Sequence, residues 1–330
     1  PKVIILIVTC LDDLIGTDHE ALKEDLTARF PGIVFQSSHM NPIKTDTTEP
    51  PAQAIQRDIY RTIATDFDNR GIDPNSVAHD ECLNLLGVYE HLPQSCELHK
   101  IAPLRHVDEY AEFSAFTQMA ASRYSLLLAP LGTLAAKELE QDFGIPYLYL
   151  PVSYDLEVIG EAYASLATVL GYENGFDFSE EKNRALRAIQ EAKAALGDMP
   201  ILVDSSATYH PFGLAKALLS YGFHVVRVEA EFVLAEEQPA IDWISTHFPD
   251  VECFRPDSYR AVLFDHRLPE SLAIGIQSAY MASSKYIVDL FADLQMFGYD
   301  GVCRLMQLMI EAIAQPRDLK KLIDEYGLVV

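Results

Sequence analysis

The chain has 330 residues, 49% apolar and 22% charged, which is room for two or three folded domains of ordinary globular composition. Its 25 basic residues face 49 acidic ones, and the net charge of −24 argues against nucleic acid as a partner. No stretch nears the roughly eighteen consecutive apolar residues that a membrane span takes, so no membrane association is expected. The opening apolar run lacks the basic flank and cleavage site of a signal peptide, and Pro1 in place of a methionine leaves room for upstream residues. The five cysteines are scattered with no C-x-x-C pair, suggesting neither a zinc ribbon nor a disulfide framework, and a reducing, cytoplasmic setting is expected.

Val3–Val8 is an unbroken, β-branched apolar run that reads as a strand buried on both faces. It ends in Thr9-Cys10. From Thr17 or Asp18 onward, Ala21, Leu22 and Leu26 lie on one side of an amphipathic helix and Glu20, Lys23 and Glu24 on the other. Residues 33–36 predict the second strand, running through Ser37, Ser38, His39, Met40 and Asn41 into a polar, proline-rich loop. A helix over 52–67 and a linker over 69–74 close the first block.

The second block opens with a strand over 83–89 that carries Gly87 near its end. Helices are expected over 94–102 and 108–121, then a strand over 124–129 that delivers Pro130-Leu131-Gly132-Thr133. A helix over 134–143 stops at Gly144, and a strand over 145–151 leads into a long helix. After a linker at 172–179, residues 180–196 are rich in helix formers. The third block repeats the theme, with strands at 200–204, 223–228, 251–254 and 260–264, the last presenting Asp265-His266. Segments 286–297, 302–314 and 317–326 read mostly as helix. The fold class is α/β, with three Rossmann-like domains around a central cleft. They span 1–75, 76–172 and 173–301, with the helices of 302–330 joining the first.

Several positions could carry chemistry. Cys10 lies beyond the carboxyl end of a parallel strand, near a helix start, where ligands gather in open α/β sheets; the competing reading is a small buried hydrophobe. His39 and Met40 lie on the same edge, either touching a metal or tetrapyrrole or capping their strand. Cys82 and Cys96 could join a site or be buried thiols. The segment with Ser205, Ser206, Tyr209 and His210 precedes a helix whose backbone amides could hold an anion. Asp265-His266 could move protons or be a solvated pair. There is no G-x-G-x-x-G, no G-x-x-x-x-G-K-[ST] and no G-x-S-x-G. Met306 and Met309, with Leu305 and Leu308, have the spacing of a helical core face.

The string I-V-T-C-x-x-x-L-I-G-x-D resembles a segment of nitrogenase component-1-type oxidoreductases that reads S/T-T-C, three residues, then L/V-I-G-D-D. Cys10, Gly16 and Asp18 fall on that pattern and Thr17 departs from it. GIPYLYL at 144–150, GYDG at 298–301 and the P-x-G-T of 130–133 extend the likeness, in the right order, over nearly the whole chain. The resemblance implies that Cys10 ligates an iron–sulfur cluster between this chain and a like or related subunit, in a homo- or hetero-oligomer. It also implies electrons supplied by an ATP-dependent iron–sulfur reductase, and Gly87, Pro130, Gly132 and Thr133 at a cofactor face. His39 or His266 would supply protons to a substrate or metallocofactor, such as a tetrapyrrole, in the cleft. Nitrogenase's iron–molybdenum cofactor hangs from a cysteine and a histidine whose places are taken here by Pro130 and Val288, so that cofactor is not expected. Two further cluster cysteines that the family places upstream of Cys10 do not occur in this sequence. A non-catalytic scaffold or carrier for metallocofactor assembly, and a small-molecule binding protein, are the alternative functions.

Overall fold

The computed structural model describes residues 1–40, 50–263 and 265–326; Asn41, the loop after it and Phe264 lie outside the described residues. By contact the chain divides into two compact units, Pro1–His91 with Leu98–Pro151, and Leu92–Glu97 with Val152–Val330. Every strand pairing among the described residues is parallel.

In the first unit β1 (Val3–Val8) leads through α1 (Cys10–Leu14) and α2 (His19–Arg29) to β2 (Val34–His39), and α3 (Pro51–Arg70) follows. β1 and β2 form a two-stranded sheet in register from Val3↔Val34 to Val8↔His39. β1 is not buried on both faces as its composition suggests: only Val8 is buried and Ile7 is 52% exposed, while α2 and α3 pack on β2. β2 is buried from Val34 to Ser38, and α3 packs on it. α3 begins at Pro51, where a missing N–H costs nothing, and stops at Gly71 in the left-handed region. Tyr60, Ile63 and Phe67 of α3 meet Ala135, Leu139 and Phe143 of the later helix α5 in the main core of this unit.

The second sheet of the unit contains β3 (Leu83–Leu86), β4 (Leu104–Arg105), β5 (Tyr124–Leu127) and β6 (Tyr147–Tyr149) in the order β4-β3-β5-β6, with α4 (Phe113–Phe116) and α5 (Thr133–Phe143) between strands. The helices expected at 94–102 and 108–121 are instead short 3₁₀ turns at Glu97–Lys100, Val107–Glu109 and Thr117–Ala121, plus the single turn of α4. Buried Phe116 and Met119 lie three apart, which suits the tighter helix.

The second unit holds α6 (Leu156–Leu170), α7 (Ser179–Leu196), β7 (Ile201–Asp204), α8 (Pro211–Ser220), β8 (Val225–Glu229), α9 (Gln238–His247), β9 (Glu252–Phe254), β10 (Leu272–Ile274), α10 (Ile276–Ala282), β11 (Tyr286–Val288), α11 (Gly298–Ala314) and α12 (Leu319–Tyr326). Its sheet runs β11-β10-β7-β8-β9, so the chain steps outward from β7 to β9 and then crosses to the other side of β7. That order is doubly wound, with its switch point between β7 and β10. The strand expected at 260–264 is a 3₁₀ turn over Ala261–Leu263 with Val262 84% exposed. On that side of β7 lie the three-residue β10 and, beyond it, β11, too short to show as apolar runs. α11 buries Val302, Leu305, Met306 and Met309 and packs on α7.

Candidate functional site

At the carboxyl edge of the first sheet, β1 gives way to Thr9 and then Cys10, the first residue of α1. The Thr9 N–H and hydroxyl both donate to Asp12 at 2.8 Å. Those bonds, with the charge of His19 adding, hold the Asp12 carboxyl below the usual carboxylate range. Gly16 turns the chain at φ 73, and Asp18 caps α2 by accepting the Ala21 N–H at 3.0 Å. Gly16 and Asp18 therefore shape the turn that follows Cys10. The thiol of Cys10 is free and exposed, which rules out the reading as a buried hydrophobe.

The Met40 N–H donates to the Val8 carbonyl at 2.8 Å, continuing the β1–β2 pairing past His39. The rings of His39 and His19 meet edge to face with centroids 6.0 Å apart, and His19 Nε2 is buried without a hydrogen-bond partner. Sequence reading singled out His39 and missed His19, whose only signal was its place after the Asp18 cap. Leu11, Leu14 and Ile15 are 68%, 81% and 78% exposed, and α1 buries no residue. A free thiol thus stands on an uncovered apolar surface.

Gly87, Pro130, Gly132 and Thr133 come together at the carboxyl ends of β3 and β5. A Cβ on Gly87 would run into the Ala129 carbonyl, and one on Gly132 into the backbone of Gly87. Gly87 has φ 85, and the Thr133 hydroxyl donates to the Pro130 carbonyl at 2.7 Å. The two glycines let two strand-end loops touch backbone to backbone.

The segment from Ser205 to His210 offers no open anion position. Asp204 accepts the Ser206 N–H at 2.7 Å and the Ser278 N–H at 2.6 Å, filling the switch point between β7 and β10 with the chain's own carboxylate. Gly275, at φ 111, leaves room for that carboxylate and for nothing larger than hydrogen. Asp293 accepts from the Tyr154 hydroxyl at 2.9 Å, the Thr208 hydroxyl at 2.8 Å and the Tyr209 N–H at 3.2 Å. Glu237 accepts the N–H groups of Phe212 and Gly213 at the start of α8. Burial pushes Asp293 up to about 6 and Glu237 to about 7, and raises Asp204 as well. Glu229, paired in register with Asp204, has neither oxygen hydrogen-bonded; burial, with Asp204 beside it, lifts it to about 8.

Asp265 and His266 each have a partner outside the pair. Asp265 is paired with Arg267 through two bonds of 2.8 and 2.6 Å and held far below the usual carboxylate range. His266 stacks on Phe254 with centroids 4.6 Å apart and bonds the Ala261 carbonyl at 2.7 Å. Cys82 is half-buried and its thiol is pushed up by burial and by Asp80, while Cys96 is buried. Val288 is buried in β11 and Pro130 opens a 3₁₀ turn.

A family model described as "Nitrogenase component 1 type Oxidoreductase" matches residues 1–314. The chain belongs to that family. Among solved structures, nitrogenase Cp1 at pH 6.5 is 15% identical, with a TM-score of 0.66 over 98% of this chain and 77% of that one. Nitrogenase Cp1 at pH 5 is 15% identical, with a TM-score of 0.63 over 95% of this chain and 71% of that one. At that identity the likeness establishes the fold, a nitrogenase component 1 α/β architecture of parallel sheets flanked by helices. No curated protein sequence matches the chain.

Family members bind iron–sulfur clusters, and a cluster takes about four thiolate or equivalent ligands. Cys10 offers one exposed donor. Among the described residues no group of three or more His, Cys, Asp or Glu side chains could hold a metal ion. The described residues of this nitrogenase component 1 family member therefore do not form a closed cluster site. Among them, too, no helix is long and apolar enough to cross a membrane.

Proposed function

We propose that this chain is a subunit of a nitrogenase-like oxidoreductase, one that receives electrons from an ATP-dependent iron–sulfur reductase and works in a reducing cytoplasm. Cys10 is the residue by which this chain would ligate an iron–sulfur cluster, with the remaining ligands lying outside its described residues, on a like or related subunit. The observation that carries the reading is the free Cys10 thiol at a strand end, surrounded by exposed Leu11, Leu14 and Ile15. Single exposed apolar residues are ordinary, but three beside one free thiol suit a surface that is covered in an assembly. The substrate is proposed as a bulky one such as a tetrapyrrole. A non-catalytic carrier of a maturing metallocofactor is the second reading, favoured by the lack of a grouped ligand set among the described residues.

The test is iron and acid-labile sulfide on protein purified without oxygen, alone and mixed with candidate partner subunits, beside Cys10→Ala. Stoichiometric iron that disappears in the variant supports the redox subunit. Wild type that takes up no iron in either state, even after reconstitution, ends that reading. Iron that is bound and handed to an acceptor protein, with no turnover, favours the carrier.

A further inference from the structure

The edge strand β9 and the residues after it line a cavity of about 530 Å³, with Arg227, Arg255, Arg260, Ser258 and His266 in its wall. That volume is within the range of small-molecule sites, roughly 300–1,000 Å³. Arg227 is 7% exposed, a charge held inside the wall of the cavity. Its Nε donates to Glu252 at 2.9 Å, its Nη1 donates to the His266 carbonyl at 2.9 Å, and its guanidinium lies over the Phe254 ring at 5.7 Å. His266 stacks on the same ring, so the guanidinium is fixed in place before any ligand arrives.

The charges around the cavity leave a surplus that the rest of the chain would not predict. Three guanidiniums line it against two carboxylates, Glu252 and Asp265, in a chain of net charge −24. Asp265 is already committed to Arg267, and the Glu252 side chain is 64% exposed, so its hold on Arg227 is weakened by solvent. Glu229 lies 3.8 Å from Arg227 without a hydrogen bond, and burial, with Asp204 beside it, favours its neutral form. Arg255 is bonded to exposed Asp257, and Arg260 to the Tyr259 hydroxyl. Both are weak, solvent-screened surface contacts that a ligand can displace.

We propose that this cavity binds a small oxyanion, the carboxylate or phosphate of a metabolite, with Arg227 as the buried anchor and Arg255 and Arg260 closing on it from the rim. This site is separate from the Cys10 edge and does not depend on the redox reading.

The test is calorimetric titration of the full chain with inorganic phosphate and with citrate, at low and high ionic strength. Binding of either probe, weakened by salt, is expected; a response to one alone tells a phosphate ligand from a carboxylate one. R255A/R260A removes exposed side chains and should fold normally, yet weaken binding at least about tenfold, since the loss of even one charge-assisted contact does that. Arg227→Lys keeps the charge but not the fork and should weaken it at least as much, while Lys285→Ala should leave it unchanged. Failure of both probes to bind with a Kd below about 1 mM, or binding by R255A/R260A equal to that of wild type, overturns the proposal.

Discussion

The Glu97 carboxylate accepts the backbone N–H of Tyr299, 202 residues away in sequence, and the N–H of Asp300 at 3.2 Å. Those are free donors at the start of α11, and Glu97 serves as a cap supplied from a distant part of the chain. A Cβ on Gly298 would collide with this carboxylate and with the Tyr163 hydroxyl. Glu97→Ala should therefore cost about 2–4 kcal/mol, the penalty for leaving buried donors unpaired, and Gly298→Ala should be comparably damaging. Urea denaturation of both variants checks this; a loss near zero for Glu97→Ala would mean that water replaces the cap.

Buried acids set an unusual pH dependence. Asp293, Glu237 and Glu229 have folded-state values of about 6, 7 and 8, against ordinary values of 3.8, 4.5 and 4.5. The folded state holds these protons more tightly than the unfolded one, so their contribution is complete below about pH 4 and is lost as pH rises toward 8. Stability measured in urea should fall across pH 5–8. Glu229→Gln, which cannot ionise, should flatten the slope and be more stable than wild type at pH 8 by roughly 3 kcal/mol. An unchanged slope in that variant would place the ionisation elsewhere.

The legible parts of the sequence were those with long periodicity. α3, α5, α6, α7 and α11 have apolar faces that repeat over three or more turns, and β1, β5 and β7 stand out as apolar runs. β10 and β11 are three residues each, β10 lying beside β7 and β11 beside β10, a relationship no local pattern encodes. Cys10 was legible from its place after a strand. The self-filled switch point was not, because the partner of Ser206 is Asp204 only once Gly275 and Ser278 are folded against it. His19 was missed for the same reason: it opens α2, and its neighbour, His39, ends β2.

Gly87 and Gly132 offer a test of whether the second sheet's loops are built for packing. Alanine at either position forces two backbones apart, and each substitution should cost about 3 kcal/mol, in the range of overpacked sites. Gly144→Ala meets open space but keeps a left-handed φ of 68, so about 1 kcal/mol is expected there. Thermal unfolding of the three proteins separates the two causes. Gly132 has φ −86 and carries no such strain, so a loss near zero at Gly132 would show that loop contact does not set the need for glycine.

The Cys10 surface should be silent in the isolated chain and matter only in an assembly. Leu14 and Ile15 are almost entirely exposed and Cys10 is free, so Cys10→Ala and the pair Leu14→Glu, Ile15→Glu should each shift stability by less than about 0.5 kcal/mol. If a like or related subunit covers this surface, the two glutamates bury unpaired charge on association, which costs several kcal/mol and should abolish the complex. Sedimentation of the variant with and without its candidate partner, against denaturation of the chain alone, reads the two effects apart. A large loss of stability in the isolated chain would instead mean that α1 packs on its own unit. Unimpaired assembly would move the partner's surface away from Cys10, and with it the source of the missing cluster ligands.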